Sequence, residues 1–124
     1  METNLGRAYE DMVEALVKPG EDILASLTPE GVNMWHMATG ISGESGELLD
    51  AVKKFAIYNK PLDRENVIEE LGDLEFYMEG LRQAIFVTRA DVLQANMNKL
   101  SVRYSKGTYS DKQAQERADK DGNN

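Results

Sequence analysis

The chain has 124 residues, no cysteine and 22 acidic against 14 Lys and Arg residues, for a formal net charge of −8. That length suits one domain with a modest core. The missing cysteines exclude disulfides, thiolate metal sites and a cysteine nucleophile, and the acidic balance argues against a nucleic-acid polymer as partner.

The segment from Met1 to Arg7 has no apolar leader, and no run approaches membrane-spanning length, so a cytoplasmic protein is expected. Leu5, Ala8, Tyr9, Met12, Val13, Leu16 and Val17 recur at a helical period over Asn4 to Val17, and Lys18-Pro19-Gly20 ends that helix. Glu21 to Leu27 reads as a short helix or turn. Thr28-Pro29-Glu30 then supplies an N-cap, a first-turn proline and an acid, and predicts a long helix to about Tyr58. Its glycines at 31, 40, 43 and 46 each lower helicity by roughly 1 kcal/mol relative to Ala, yet allow close approach. Asn59-Lys60-Pro61-Leu62 breaks the chain. Asp63 caps a second long helix from Arg64 to about Ile85. Thr88-Arg89-Ala90-Asp91 is a capping-box pattern opening a third, to about Tyr104. The expected architecture is all-α: an antiparallel bundle of four to five helices in a single domain over 1–106. Residues 107–124 read as a polar tail, disordered from about Asp119.

On a helical wheel, Met34, Met37, Ala38, Ile41, Leu48, Leu49, Val52 and Phe55 form the apolar side of the first long helix. His36, Glu44, Glu47 and Lys54 fall along one flank of it. Val67, Leu71, Leu74, Met78, Leu81 and Ile85 form the stripe of the second, flanked by Glu70, Asp73 and Tyr77. On the third, Asn96, Lys99 and Arg103 flank Leu93, Met97, Leu100 and Tyr104. Ile68, Phe76 and Phe86 fall opposite the second helix's stripe, which predicts a second covered face and hence an oligomer. Trp35 lies outside both stripes and suits a subunit interface or a base platform.

Glu44 with Glu47, and Glu70 with Asp73, each stand three residues apart and so project together. A lone Glu-x-x-Glu is usually a solvated face. Two such pairs on neighbouring helices repel unless a cation joins them. A hard divalent cation with oxygen ligands, Mg²⁺, is the expected occupant. The single histidine, His36, excludes a di-iron bundle with two Glu-x-x-His motifs. The rival reading is a non-catalytic helical interaction module whose acids are surface charge.

Ala38-Thr39-Gly40-Ile41-Ser42-Gly43-Glu44-Ser45-Gly46-Glu47-Leu48, Val67-Ile68-Glu69-Glu70-Leu71-Gly72-Asp73 and the Asn96 to Tyr104 segment together resemble the MazG-like all-α nucleoside triphosphate pyrophosphohydrolases, in compact, often phage-borne form. The resemblance spans roughly residues 30 to 105, with three motifs in order. It implies metal-dependent cleavage of a (deoxy)nucleoside triphosphate between the α and β phosphates. Glu44, Glu47, Glu70 and Asp73 would hold Mg²⁺, with Mn²⁺ as a substitute. Asn96, Lys99, Arg103 and Lys54 would hold phosphates, and His36 and Tyr77 would lie near sugar or base. It also implies a dimer or a dimer of dimers. A purine substrate such as dGTP or GTP is expected, with dUTP or a modified deoxynucleotide as alternatives.

Overall fold

The structure, a computed structural model, describes residues 3–120. The described residues form helices and connecting turns: α1 (Asn4–Leu16), α2 (Gly20–Ser26), α3 (Pro29–Ala56), α4 (Arg64–Ala84), α5 (Arg89–Arg103) and a short α6 (Asp111–Glu116). The all-helical class is as expected, and the first five helices lie within a few residues of their predicted bounds. The sixth falls in the segment read as a tail. The chain divides into two compact units, Met1–Val32 and Asn33–Asn124. No helix among the described residues is long and apolar enough to cross a membrane.

The first unit holds α1 and α2. Thr3 caps α1 by accepting from the Gly6 N–H at 3.0 Å. Thr28 caps the start of α3 in the same way, accepting from Gly31 N–H at 3.1 Å.

The second unit is organised by α3 and α4, which pack antiparallel. Met37 faces Gly80, Gly40 faces Tyr77, and Glu44 faces Glu70 and Asp73. The at least half-buried positions repeat at three and four residues on both helices. On α3 they include Met34, Met37, Ile41, Glu44, Leu48 and Ala51; on α4 they include Val67, Glu70, Leu74, Tyr77, Leu81 and Ala84. This is the spacing of a paired-helix seam. The observed stripe on α4 is therefore turned from the predicted one. Leu71, Met78 and Ile85 are exposed at 49%, 37% and 48%, while Glu70, Tyr77 and Ala84 take the inner positions. On α3, Ala38, Leu49, Val52 and Phe55 are likewise exposed rather than packed.

Close approach explains the rotation. A Cβ on Gly40 would overlap the Tyr77 ring, and one on Gly80 would overlap the Met37 sulfur. Each glycine thus admits a large side chain from the opposite helix directly onto its backbone.

Helix ends follow local chemistry. Asp63 caps α4, accepting from Asn66 N–H at 3.1 Å. At the start of α5 the Thr88 hydroxyl accepts from Asp91 N–H at 3.1 Å, and the Asp91 carboxylate accepts from Thr88 N–H at 2.9 Å. Thr88→Ala removes one arm of this reciprocal pair. It is expected to lower stability by about 1 kcal/mol, read as a fall in melting temperature with the helix content retained.

The C-terminal segment folds onto α5. Asp119 is buried, and it grips Arg103 through two bonds, Nε to Oδ1 at 2.8 Å and a terminal nitrogen to Oδ2 at 3.2 Å. Gln113 Nε2 adds a bond to Ser105 Oγ at 3.2 Å. Disorder was expected from Asp119 onward. Asp119 and Lys120 are instead placed, and 121–124 lie outside the described residues.

Candidate metal centre

Midway along the seam, positions that are otherwise apolar carry Glu44 on α3 and Glu70 on α4. Carboxylate oxygens of Glu44, Glu70 and Asp73 all lie within 4.8 Å of one another. Glu44 and Glu70 are half-buried and Asp73 is exposed. The half-buried Met37, Ile41, Leu48, Val67 and Leu74 flank the two glutamates along the seam.

The electrostatic consequence falls on Glu70. Its carboxyl is pushed up from 4.5 to about 7. The largest cause is a hydrogen bond with Glu44, followed by burial and then the charges of Glu44, Asp73 and Glu47. One oxygen of Glu70, Oε2, is buried and has no hydrogen-bond partner among the described residues. A buried acceptor left without a donor costs stability, and a cation meets that deficit. Ions with oxygen ligands at about 2.1–2.6 Å place opposite ligands about 4–5 Å apart. Three carboxylates within 4.8 Å fit that span, so the donor set and the orphaned oxygen both suit a divalent cation.

The remaining predicted site residues divide into those near the acids and those elsewhere. Glu47 is exposed and outside the group of three, but close enough for its charge to raise Glu70. Tyr77 stands one turn from Asp73, its ring against the Gly40 backbone and edge-on to His36 at 6.2 Å between centroids. Lys54 lies beyond the opposite end of the cluster and pairs with Asp50 at 3.1 Å. Asn96 and Lys99 are exposed on α5, and no described interaction joins them to the carboxylates. Arg103, expected to grip phosphate, is held by Asp119, whose carboxylate occupies the same fork of N–H groups. Another arginine, Arg82, is buried on α4 and is paired within its own helix to Glu79 at 2.9 Å and to Glu75 at 3.7 Å.

Three features escaped the sequence reading. Glu44 and Glu70 are seam residues, not flank residues. Gly40 seats Tyr77. Asp119 partners Arg103 across sixteen positions. The first two had a signal in the helical phases of Glu44 with Gly40 and of Glu70 with Tyr77. The third had none, because ion pairing across a loop leaves no periodic trace.

Residues 34–108 match the family model of the MazG nucleotide pyrophosphohydrolase domain. That stretch begins one residue after the start of the second unit and contains every residue of the cluster. The chain is also similar to the "Gene 37 protein" of Mycobacterium phage L5, 32% identical over 76 residues, covering 58% of this chain and 67% of that protein. No solved structure matches the chain.

Proposed function

The chain belongs to the MazG nucleotide pyrophosphohydrolase family and is a nucleoside triphosphate pyrophosphohydrolase, and from that premise we propose that it hydrolyses (deoxy)nucleoside triphosphates with Mg²⁺, or Mn²⁺ in its place, to the monophosphate and pyrophosphate. The observation that supports this most directly is the convergence of Glu44, Glu70 and Asp73 around a buried oxygen that lacks a donor. These three residues, with Glu47 beside them, hold the cation. When bound, the cation neutralises charge on the phosphates and polarises the phosphoryl oxygens.

The residues then divide the work. Water attacks the α-phosphorus in line. The new oxygen–phosphorus bond forms as the α–β bridge breaks, and pyrophosphate leaves with the bonding electron pair. One of Glu44 and Glu47 takes the proton of the water. His36 and Tyr77 border the nucleoside. Lys54, Asn96 and Lys99 contribute to holding phosphate, while Arg103 joins them only on release from Asp119.

The exposed apolar residues support a homo-oligomer, a dimer or a dimer of dimers. Trp35, Ile68, Phe76 and Phe86 are 63%, 62%, 68% and 93% exposed. Phe86 also has a left-handed backbone, with φ of 60°. A bulky residue in that region is strained, and here it is set outward.

The test is a screen for phosphate products over the common NTPs and dNTPs with Mg²⁺ and with Mn²⁺. It includes dGTP and GTP, the purines expected from the sequence, and also dUTP and modified deoxynucleotides. Pyrophosphate release that requires the metal is the expected result. Orthophosphate as the first product, or no release from any substrate, overturns the proposal.

A further inference from the structure

Helix α5 is well formed but uncovered. Every residue from Asp91 to Val102 is exposed, although Thr88 caps the start of the helix and Asp119 anchors Arg103 at its end. The apolar residues nonetheless keep a strict order. Leu93, Met97, Leu100 and Tyr104 recur at intervals of four, three and four. Leu93, Met97 and Leu100 are 44%, 63% and 38% exposed. We propose that this stripe pairs antiparallel with the same stripe on α5 of a second copy of the chain. To the exposed apolar residues of α3 and α4 it adds a self-contact on another helix, and a dimer of dimers needs two kinds of contact. The pair does not depend on the hydrolysis argued above.

The stripe is narrow. A helix packed on a broad core carries three to four apolar residues in two turns, whereas a seam between paired helices carries two in seven. The positions beside the α5 stripe are Gln94, Asn96, Ser101 and Arg103, all polar. A helix of 15 residues with nothing packed against it is marginal in water, so the stripe needs a cover.

Charge selects the cover. Arg103 is neutralised by buried Asp119, and the other three flanking residues carry no charge. A second α5 turned end for end sets Asn96 against the partner's Arg103 and Gln94 against the partner's Ser101. No like charges are then opposed across the seam. A strongly acidic or basic partner gains little from such flanks.

Shape fixes the register. At the C-terminal end of the stripe lies a hollow of about 360 Å³, whose walls include Met97, Leu100, Tyr104 and Tyr109. Gly107, with φ of 77°, turns the chain there in a conformation that favours glycine. The turn brings the Tyr109 ring to 5.5 Å from that of Tyr104. In the register that sets Met97 against the partner's Leu100, Leu93 falls opposite the partner's Tyr104 and enters the hollow. Each copy then supplies one knob and one hole, as two-fold symmetry requires. The segment after α5 is part of the contact, held in place by the Arg103–Asp119 pair.

The experiment weighs the full-length protein by light scattering over a range of concentrations. Met97→Lys puts a charge in the seam and is expected to halve the mass of the wild-type assembly. Val102→Lys, on the opposite side of α5, is expected to leave the mass unchanged. Thermal melting checks that both variants fold. The chain has no cysteine, so crosslinking gives a second readout. Met97→Cys and Leu100→Cys chains, mixed and oxidised, should join unlike chains in preference to like ones. Unchanged mass in folded Met97→Lys, with an oligomeric wild type, overturns the α5 pair alone. An equal fall in Val102→Lys, or crosslinks that prefer like chains, also overturns it. A wild type that is monomeric at every concentration overturns the pair and the homo-oligomer together.

Discussion

Glu70→Gln is expected to reduce pyrophosphate release at least about 100-fold and to abolish the rise in melting temperature expected of the wild type with Mg²⁺ or Mn²⁺. Its carboxylate belongs to the group of three, and losing even a residue that only hydrogen-bonds a metal ligand typically costs about 10–100-fold. A cation that binds only the folded chain stabilises it by linkage, and without Glu70 there is too little negative charge to hold it.

The same variant gives a signed pH test. In the folded chain Glu70 titrates near 7, above its ordinary 4.5. An acid whose folded value is raised is better tolerated protonated, so its effect on stability is absent below about 4.5 and grows as pH rises through 7. Metal-free wild type is therefore expected to lose stability relative to Glu70→Gln between about pH 4.5 and 7. At pH 8 the glutamine variant should melt higher. With metal present the order reverses, because the cation replaces the proton, and the metal-induced shift should grow with pH over the same window. Melting curves of both proteins with and without Mn²⁺ at pH 5 and 8 decide the matter. Equal metal shifts in the two proteins would remove Glu70 from the site.

Gly40→Ala should be the most damaging of the glycine replacements on α3. Helix propensity alone favours alanine by roughly 1 kcal/mol. The new Cβ, however, lands on three atoms of the Tyr77 ring, which is itself packed in the seam between His36 and Phe76. The ring must leave or the helices must part, and overpacking of this kind costs about 1–3 kcal/mol. The loss should exceed the gain, with a lower melting temperature and, through displaced Tyr77, a higher KM. Gly43→Ala and Gly46→Ala are the controls, since a Cβ at either position meets nothing within 4 Å. Those two should stabilise the helix by up to about 1 kcal/mol each. A stabilised Gly40→Ala protein would show that the helices do not meet at this point.

Helix limits were legible because the chemistry that sets them lies within a few residues. Thr28, Asp63 and Thr88 each accept an N–H three positions on, as their spacing foretold. Four acids, Glu44, Glu47, Glu70 and Asp73, were expected to meet; carboxylate oxygens of Glu44, Glu70 and Asp73 lie within 4.8 Å of one another, and Glu47 falls outside that group. The depth of Glu44 and Glu70 was not legible. Helix α4 is apolar on more than one side, so burying Leu71 and Met78 looked as favourable as burying Leu74 and Tyr77. Similar apolar areas give similar transfer free energies, at about 25 cal/mol per Å², and a single-helix wheel cannot choose between them.

What the order of residues determined alone was where helices begin and stop, and which acids share one helix face, since both depend on spacing within one or two turns. What tertiary structure decided was the rotation of α4 against α3 and the partner of Arg103. The first depends on where two glycines let opposing side chains reach the backbone. The second depends on a carboxylate that only a folded C-terminal segment can deliver, and both are contacts between parts of the chain that no local pattern connects.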